Sequence, residues 1–223
     1  MSRIENCWYH EVCSKECSAG CIRYLEMSYL MENSGLPYKR WFPSSLSPDD
    51  CDYDAFCQLA SIKNNITTFV ENGQNLYLFS SMTGNGKTTW AIKLMLKYFN
   101  DIWAGNGFRC RGLFIHVPTF LTQLKNFNTV QTEFERIKKE LPLVDLVIWD
   151  DVASTDLSSY DNSQLLTYLD SRMLSMKSNI FTGNADNTAI TKMLGLRLAS
   201  RVWNNSQHIE LRGRDKRSEI LFD

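Results

Sequence analysis

The chain has 223 residues, of which 43% are hydrophobic and 22% are charged, and its formal net charge is −1. This composition excludes wholesale disorder, and the balanced charge excludes a generally basic, nucleic-acid-binding surface. No run approaches the roughly 18 apolar residues of a membrane span, and the start of the chain lacks the pattern of a secretory signal peptide. We therefore expect a cytoplasmic protein that does not contact a membrane.

The first predicted unit, residues 1–32, is a cysteine-rich head. It holds four of the seven cysteines and one histidine, namely Cys7, Cys13, Cys17, Cys21 and His10. An odd, clustered set does not suit a secreted disulfide framework. A continuous helix would separate Cys13 from Cys21 by about 12 Å, too far for one tetrahedral zinc ion. We therefore expect a break near Gly20 and a helix from Cys21. The pattern favours structural zinc, with an iron–sulfur cluster or reduced thiols as alternatives.

After the head, residues 33–50 contain three prolines and predict a linker or an extended strap. Apolar residues then recur at helical spacing over residues 50–72. Strands and helices alternate from there on, which predicts an α/β fold over residues 51–223, with a parallel sheet between helices. The predicted strands are 76–79, 113–117, 143–149, 179–182 and 208–211, and the predicted helices are 87–99, one that starts at Pro118, 164–176 and 190–203.

A loop of small residues joins the first strand to the helix that begins at Lys87. Ser81-Met-Thr-Gly-Asn-Gly-Lys-Thr88 fits the phosphate-binding pattern, although Ser81 stands where the first glycine is usual. Such a loop turns backbone N–H groups toward phosphates, its lysine reaches the β and γ phosphates, and its threonine hydroxyl ligates Mg²⁺. A chance Gly-Lys-Thr is the alternative, which the flanking strand and helix disfavour. The predicted ATP contacts are Thr83, Gly84, Asn85, Gly86, Lys87, Thr88 and Thr89.

Polar side chains follow two of the later strands. Asp150 and Asp151 end the apolar strand LVDLVIW, and Asn184 ends the strand after it. Beside a phosphate loop, Asp150 would hold Mg²⁺ and Asp151 would orient the attacking water or take its proton. Asn184 could hold that water, or it could be an ordinary turn residue.

Two arginines, Arg197 and Arg201, lie four residues apart and hence on one helix face. An arginine donated across a subunit contact can stabilise the transferring phosphoryl group. From the spacing alone, a basic surface face or a salt bridge is the better interpretation.

The ordered set SSMTGNGKTT, LVIWDD, IFTGN, LGLRLASRVW and IELRGRDKR resembles the AAA+ ATPases of the DnaC-type replicative helicase loaders, phage versions included, and the related IstB-type transposition helpers. The resemblance implies that Lys87 and Thr88 belong to Walker A, and Asp150 and Asp151 to Walker B. It implies that Asn184 is sensor 1 and that Arg201, or else Arg197, is the arginine finger. Arg217 matches a recurrent arginine whose role we leave open.

The resemblance also implies the partners and the reaction. We expect an ATPase that binds ATP and Mg²⁺ between copies of a homo-oligomer, contacts single-stranded DNA and delivers a hexameric replicative helicase, which its N-terminal head grips. The alternatives are an IstB-like helper of a transposase and a nucleotide-dependent binding switch without turnover. A zinc-dependent DNA-binding regulator with a decayed ATP site is a third.

Overall fold

The computed structural model describes residues 7, 9, 13, 20–37, 40, 43, 45–125, 132–154 and 157–216. Within that part of the chain, helices and strands alternate from residue 66 onward. The helices are α1 (Ile22–Glu32), α2 (Tyr53–Asn64), α3 (Ile66–Glu71), α4 (Lys87–Ile102), α5 (Val117–Lys125), α6 (Thr132–Glu140), α7 (Ser159–Leu174) and α8 (Asn187–Ala199). The strands are β1 (Asn75–Phe79), β2 (Gly112–His116), β3 (Leu146–Asp150), β4 (Ser178–Gly183) and β5 (Gln207–Glu210).

The five strands form one sheet in the order β2-β3-β4-β1-β5, and every neighbouring pair is parallel. The predicted α/β fold with a parallel sheet is therefore confirmed. β3 and β4 are buried along their whole length, since a parallel sheet carries helices on both faces. β4 lies between β1 and β3, so the loop after β1 and the acids after β3 flank the end of β4. This order places the polar strand ends at one edge of the sheet.

The continuous helix predicted over residues 50–72 is wrong in detail. The segment is a 3-10 turn at Asp50–Asp52 followed by α2 and α3, with a break at Asn65. The Asn65 side chain donates a hydrogen bond to the carbonyl oxygen of Ser61 at 3.0 Å. Asparagine competes in this way for backbone groups, and so it favours helix ends over helix interiors.

Two further boundaries and one helix differ from the sequence-based prediction. Leu143 is 66% exposed and lies before β3, which starts at Leu146. Helix α7 starts at Ser159, five residues early, because Ser158 and Asp161 form a capping box. Helix α6 was not predicted, since it is strongly polar and Phe134 is its one buried residue. Gly195 interrupts α8 with φ 72° and ψ 161°, which are not helical values.

The described part of the head and helix α1 pack on the sheet's own core. Cys7, Tyr9, Met27 and Leu30 share one cluster of buried side chains with residues of α2, α4 and β1. The Arg23 guanidinium lies 3.4 Å from the centre of the Tyr9 ring. The division into a head at 1–32, a linker at 33–50 and a core at 51–223 stays a prediction. None of the helices in the described ranges has the length and apolar content that crossing a membrane requires.

One buried cation fixes the amino ends of β3 and β4. Arg172 of α7 donates to the carbonyl oxygens of Leu141, Val144 and Ser178 at 2.7, 2.9 and 2.6 Å, and to Asn179 Oδ1 at 2.8 Å. Burial lowers the pKa of Arg172 to about 9, so the guanidinium remains charged at neutral pH. These bonds hold the end of the sheet opposite the polar strand ends.

Candidate functional site

The phosphate loop, residues 80–88, connects β1 to α4. Gly84 and Gly86 have φ angles of 77° and 100°, a region that glycine enters without steric cost. Ser81 is not among the residues with positive φ, which explains why serine is tolerated where the pattern usually has glycine. The 16-residue helix α4 then presents its amino end at Lys87. A glycine turn before a helix amino end is an arrangement that binds phosphate.

A buried hydrogen-bond network holds the loop from below. Asn85 is fully buried, and its amide donates to Ser80 Oγ at 2.6 Å and to the carbonyl oxygen of Leu211 at 2.8 Å. Ser80 Oγ also accepts from the backbone N–H of Met82 at 2.9 Å. The loop is therefore fastened to the segment after β5, a contact between residues far apart in sequence.

The Lys87 ammonium lies inside the loop. It donates to the carbonyl oxygen of Met82 at 2.8 Å and to Asn85 Oδ1 at 3.2 Å. Lys87 is 9% exposed, so water screens its charge only weakly in the turn where phosphate oxygens would bind.

Asp150 at the end of β3 is bonded directly to the phosphate loop. Its Oδ1 accepts from Thr88 Oγ1 at 2.7 Å and from Thr182 Oγ1 at 2.7 Å. Thr182 lies on β4, the strand between β1 and β3. Its hydroxyl also accepts a hydrogen bond from the backbone N–H of Asp151 at 3.0 Å. A hydroxyl and a carboxylate in contact are hard oxygen ligands that suit Mg²⁺, which usually takes one or two protein ligands beside water and phosphate oxygens.

Asp151 and Asn184 follow at the ends of β3 and β4. Asp151 has a φ of 62°, in the left-handed region that aspartate and asparagine tolerate best among side-chain-bearing residues. Gly183 packs against this turn, since a β-carbon there would lie 2.7 Å from the carbonyl oxygen of Val152 and 2.6 Å from Tyr77 Oη. The Gly183 position therefore keeps the turn after β3 tight against β4.

These groups meet in one cavity of about 580 Å³. All seven predicted ATP contacts, 83–89, line it together with Asp150, Asp151 and Asn184. The volume lies in the range of small-molecule sites, about 300–1,000 Å³. A loop for phosphates, a hydroxyl–carboxylate pair for Mg²⁺ and two polar strand ends thus surround one space.

Neither predicted arginine lines this cavity, and both lie within the described ranges. Arg197 is exposed in α8, beyond the kink at Gly195. Arg201 lies in a short π-helix, Ser200–Asn204, that directly follows α8, and it forms an ion pair with Asp170 at 2.5 Å, both side chains being about 40% exposed. The structure thus separates these arginines from the other predicted site residues of the same chain.

Several lining residues were not among the predicted site residues, namely Arg40, Pro43, Leu46, His116, Thr182 and Lys216. Thr182 carried a signal, because it lies two residues before Asn184 at the end of an apolar strand. Lys216 belongs to a basic tail that could contact phosphates or simply be solvated. Arg40, Pro43 and Leu46 belong to a segment whose prolines indicate only an extended chain.

The segment after β5, residues 211–216, forms a tail that closes one side of the cavity. The backbone N–H of Lys216 donates to the carbonyl oxygen of Gly84 at 3.0 Å, and a β-carbon at Gly84 would collide with the Asp215 carboxylate. Asp49 accepts from Lys216 Nζ at 3.0 Å and from the backbone N–H of Arg214 at 2.9 Å. The hydrogen bond from Lys216 lowers the pKa of the Asp49 carboxyl. Arg217 lies outside the described residues.

The predicted metal site in the head is described only in part. Cys7, Cys13 and Cys21 lie within the described residues, whereas Cys17 and His10 lie outside them. Among the residues that are described, no three histidine, cysteine or acidic side chains form a metal-binding group. The zinc ion, and the iron–sulfur alternative, stay predictions.

The fold and the cavity together define a P-loop nucleotide-binding protein. A family model of IstB-like ATP-binding proteins matches residues 42–200. This match spans more than half of the chain, so the protein belongs to the IstB-like ATP-binding family, which is of the AAA+ class. The predicted AAA+ core is thereby confirmed.

Solved structures share this fold. The DnaC helicase loader superposes with a TM-score of 0.64 at 17% identity, over 79% of this chain and 100% of that one. DnaI gives 0.63 at 22%, over 82% and 94% of the two chains. AMPPCP-bound DnaA from Aquifex aeolicus gives 0.59 at 15%, over 83% and 54%. A comparison with curated protein sequences finds no match.

Proposed function

We propose that the protein is an ATPase that loads a replicative DNA helicase. The observation that supports ATP binding most directly is the bond between Thr88 and Asp150 inside the cavity that holds Lys87. Family membership independently supports ATP as the ligand. Lys87 and the loop would bind the phosphates, while Thr88 and Asp150 would hold Mg²⁺, which would neutralise phosphate charge.

Hydrolysis requires a group that activates water and a cation that stabilises the charge on the transferring phosphoryl. In our proposal Asp151 orients the water or accepts its proton, and Asn184 holds the water from the neighbouring strand end. Since neither Arg201 nor Arg197 lines the cavity of its own chain, the finger would come from an adjacent copy. ATP would then sit between copies, and assembly and turnover would depend on each other.

The helicase and the single-stranded DNA are inferred from similarity. DnaC is a helicase loader, and DnaI has nearly the same TM-score to this chain. One similar DnaA structure holds AMPPCP and single-stranded DNA. The N-terminal head precedes the region matched by the IstB-like family model, which begins at residue 42. We propose that this head grips the helicase, while the AAA+ core contacts single-stranded DNA.

A second candidate function has its own support. The matching family model is that of IstB-like proteins, so a helper of a transposase shares every feature of the ATP site. The two functions differ in the partner and not in the chemistry.

Affinity purification from the source cells distinguishes these partners. Full-length tagged protein, captured with ATP and again with ADP, should retain a hexameric replicative helicase in an ATP-dependent manner. The Lys87→Ala variant is the matched control, since it should lose only the ATP-dependent part. Capture of a transposase without helicase would replace the loader by the transposition helper.

We predict that the head of the full-length protein holds about one zinc ion per chain, and that helicase binding requires this zinc ion. Elemental analysis of the full-length protein should find zinc, and Cys17→Ser should lower both the zinc content and helicase capture while ATP binding persists. Cys57→Ser is the matched control because Cys57 is exposed on α2. Iron with visible absorbance would indicate the cluster instead, and no metal at all would contradict the prediction.

A further inference from the structure

The described residues of the strap, 33–37, 40, 43 and 45–50, contact the core on both sides of Arg40. Before it, the carbonyl oxygen of Ser34 accepts from the backbone N–H of Phe114 on the edge strand β2 at 2.7 Å. After it, Leu46 packs on the phosphate loop so closely that a β-carbon at Gly86 would lie 2.7 Å from Leu46 Cδ1. Asp49 then bonds to the tail. Three residues of the strap, Arg40, Pro43 and Leu46, therefore line the nucleotide cavity.

Arg40 carries the strap's positive charge into this cavity. Its Nη1 lies 3.9 Å from Asp150 Oδ2, and its guanidinium carbon lies 5.7 Å from the centre of the Phe114 ring. The other oxygen, Oδ1, already accepts from Thr88 and Thr182. Arg40 thus faces the side of the Asp150 carboxylate that the two threonines leave open.

The pairing with Asp150 is weak for an arginine. At 3.9 Å the contact is an ion pair without a short hydrogen bond, and the Arg40 side chain remains 43% exposed. A guanidinium binds phosphate through two parallel N–H donors and more strongly than it binds a single distant carboxylate oxygen. The terminal phosphate of ATP would enter the cavity between the phosphate loop and Asp150. An arginine in this position has a stronger ligand within reach once a triphosphate is bound.

We propose that Arg40 binds the terminal phosphate of ATP in its own chain, so that the strap responds to whether a triphosphate or a diphosphate is present. In the absence of nucleotide, Arg40 partly neutralises Asp150. With ATP bound, the guanidinium turns to the phosphate, while Asp150 and Thr88 would hold Mg²⁺, whose charge would take the place of Arg40 beside the carboxylate. ADP lacks the phosphate that would hold it. This inference rests on the proposed function only for ATP binding, and it requires neither hydrolysis nor a helicase.

The test is discrimination between two nucleotides. Calorimetric titration of the full chain with a non-hydrolysable ATP analogue and with ADP, both with Mg²⁺, should show that Arg40→Ala weakens the analogue about 10- to 100-fold. That range corresponds to the loss of one charged hydrogen bond. ADP affinity should change less than about threefold, and Arg40→Lys should fall between, since lysine keeps the charge but loses the paired donors.

Arg109→Ala is the matched control. Arg109 is exposed, donates to the carbonyl oxygen of Asn106 and does not line the cavity, so its loss should leave both affinities unchanged. Thermal unfolding without nucleotide should confirm that Arg40→Ala is folded. Hydrogen exchange gives a second readout: amides of residues 45–49 should be better protected with the analogue than with ADP, and this difference should vanish in Arg40→Ala.

The outcomes separate this inference from the proposed function. Equal losses of analogue and ADP affinity would make Arg40 a general electrostatic or structural residue and overturn the inference, as would unchanged affinities. Failure of the wild-type protein to bind either nucleotide would instead overturn the proposed function itself.

Discussion

Replacing Arg201 by alanine should lower ATP turnover by about 10³-fold or more while ATP affinity changes less than about threefold. An arginine donated to a transferring phosphoryl group contributes about 10³–10⁵ to the rate. Because Arg201 does not line the cavity of its own chain, its removal should spare the binding site. Phosphate release at saturating ATP, with and without single-stranded DNA, measures the first effect and calorimetry measures the second.

A mixing experiment tests whether the arginine acts across a contact between copies. Arg201→Ala chains keep an intact cavity, and Lys87→Ala chains keep an intact Arg201. Each alone should be inactive, and a mixture should regain part of the turnover. Arg197→Ala is the matched control, four residues away in sequence and also outside the cavity. Full turnover in Arg201→Ala, with loss in Arg197→Ala, would transfer the role to Arg197. Two inactive variants that never complement would contradict a shared site.

Replacing Lys87 by alanine should abolish measurable ATP binding, whereas Asp151→Asn should retain binding and lose turnover. The Lys87 ammonium is largely buried within the phosphate loop, and losing its charged hydrogen bonds to phosphate should cost at least 10- to 100-fold in affinity. Asp151→Asn removes the carboxylate that would take the proton. Asparagine suits this position because Asp151 has a φ of 62°, where alanine would be strained.

The same pair of variants distinguishes an enzyme from a switch. If helicase delivery is normal with Asp151→Asn and absent with Lys87→Ala, nucleotide binding suffices and turnover is dispensable. If both variants fail, hydrolysis belongs to the cycle. Normal delivery by both would exclude a role for nucleotide in delivery. Failure of the wild-type protein to bind nucleotide at millimolar concentrations would favour the zinc-dependent regulator with a decayed site.

The site residues that could be predicted belong to motifs of a few consecutive residues. Gly84, Gly86 and Lys87 identify the turn between β1 and α4 as a phosphate loop. Asp150 stands out because it follows an unbroken apolar strand. A parallel sheet brings the carboxyl ends of its strands to one edge. The structure accordingly places Lys87 and Asp150 in one cavity.

What escaped prediction depends on contacts between distant segments. The chain order does not reveal that β4 separates β1 from β3, so the bonds by which Thr182 joins the Asp150 carboxylate to the backbone of Asp151 could not be predicted. The sequence left residues 33–50 open between a linker and an extended strap, because contacts with β2, the phosphate loop and the tail leave no periodic pattern. Helix α6 was missed because Phe134 is its one buried residue, so it has too few apolar positions to show a helical period.

The ion pair between Arg201 and Asp170 has a consequence for how copies would come apart. In a single chain, Arg201 already pairs with Asp170. Docking on another copy would replace this partly hydrated partner by a second one. The replacement itself would add little binding free energy, because half-exposed ion pairs contribute about 0–1 kcal/mol. The balance between lone and docked chains would then follow the negative charge of the bound nucleotide. In the proposed assembly, loss of that charge would therefore favour separation of the copies.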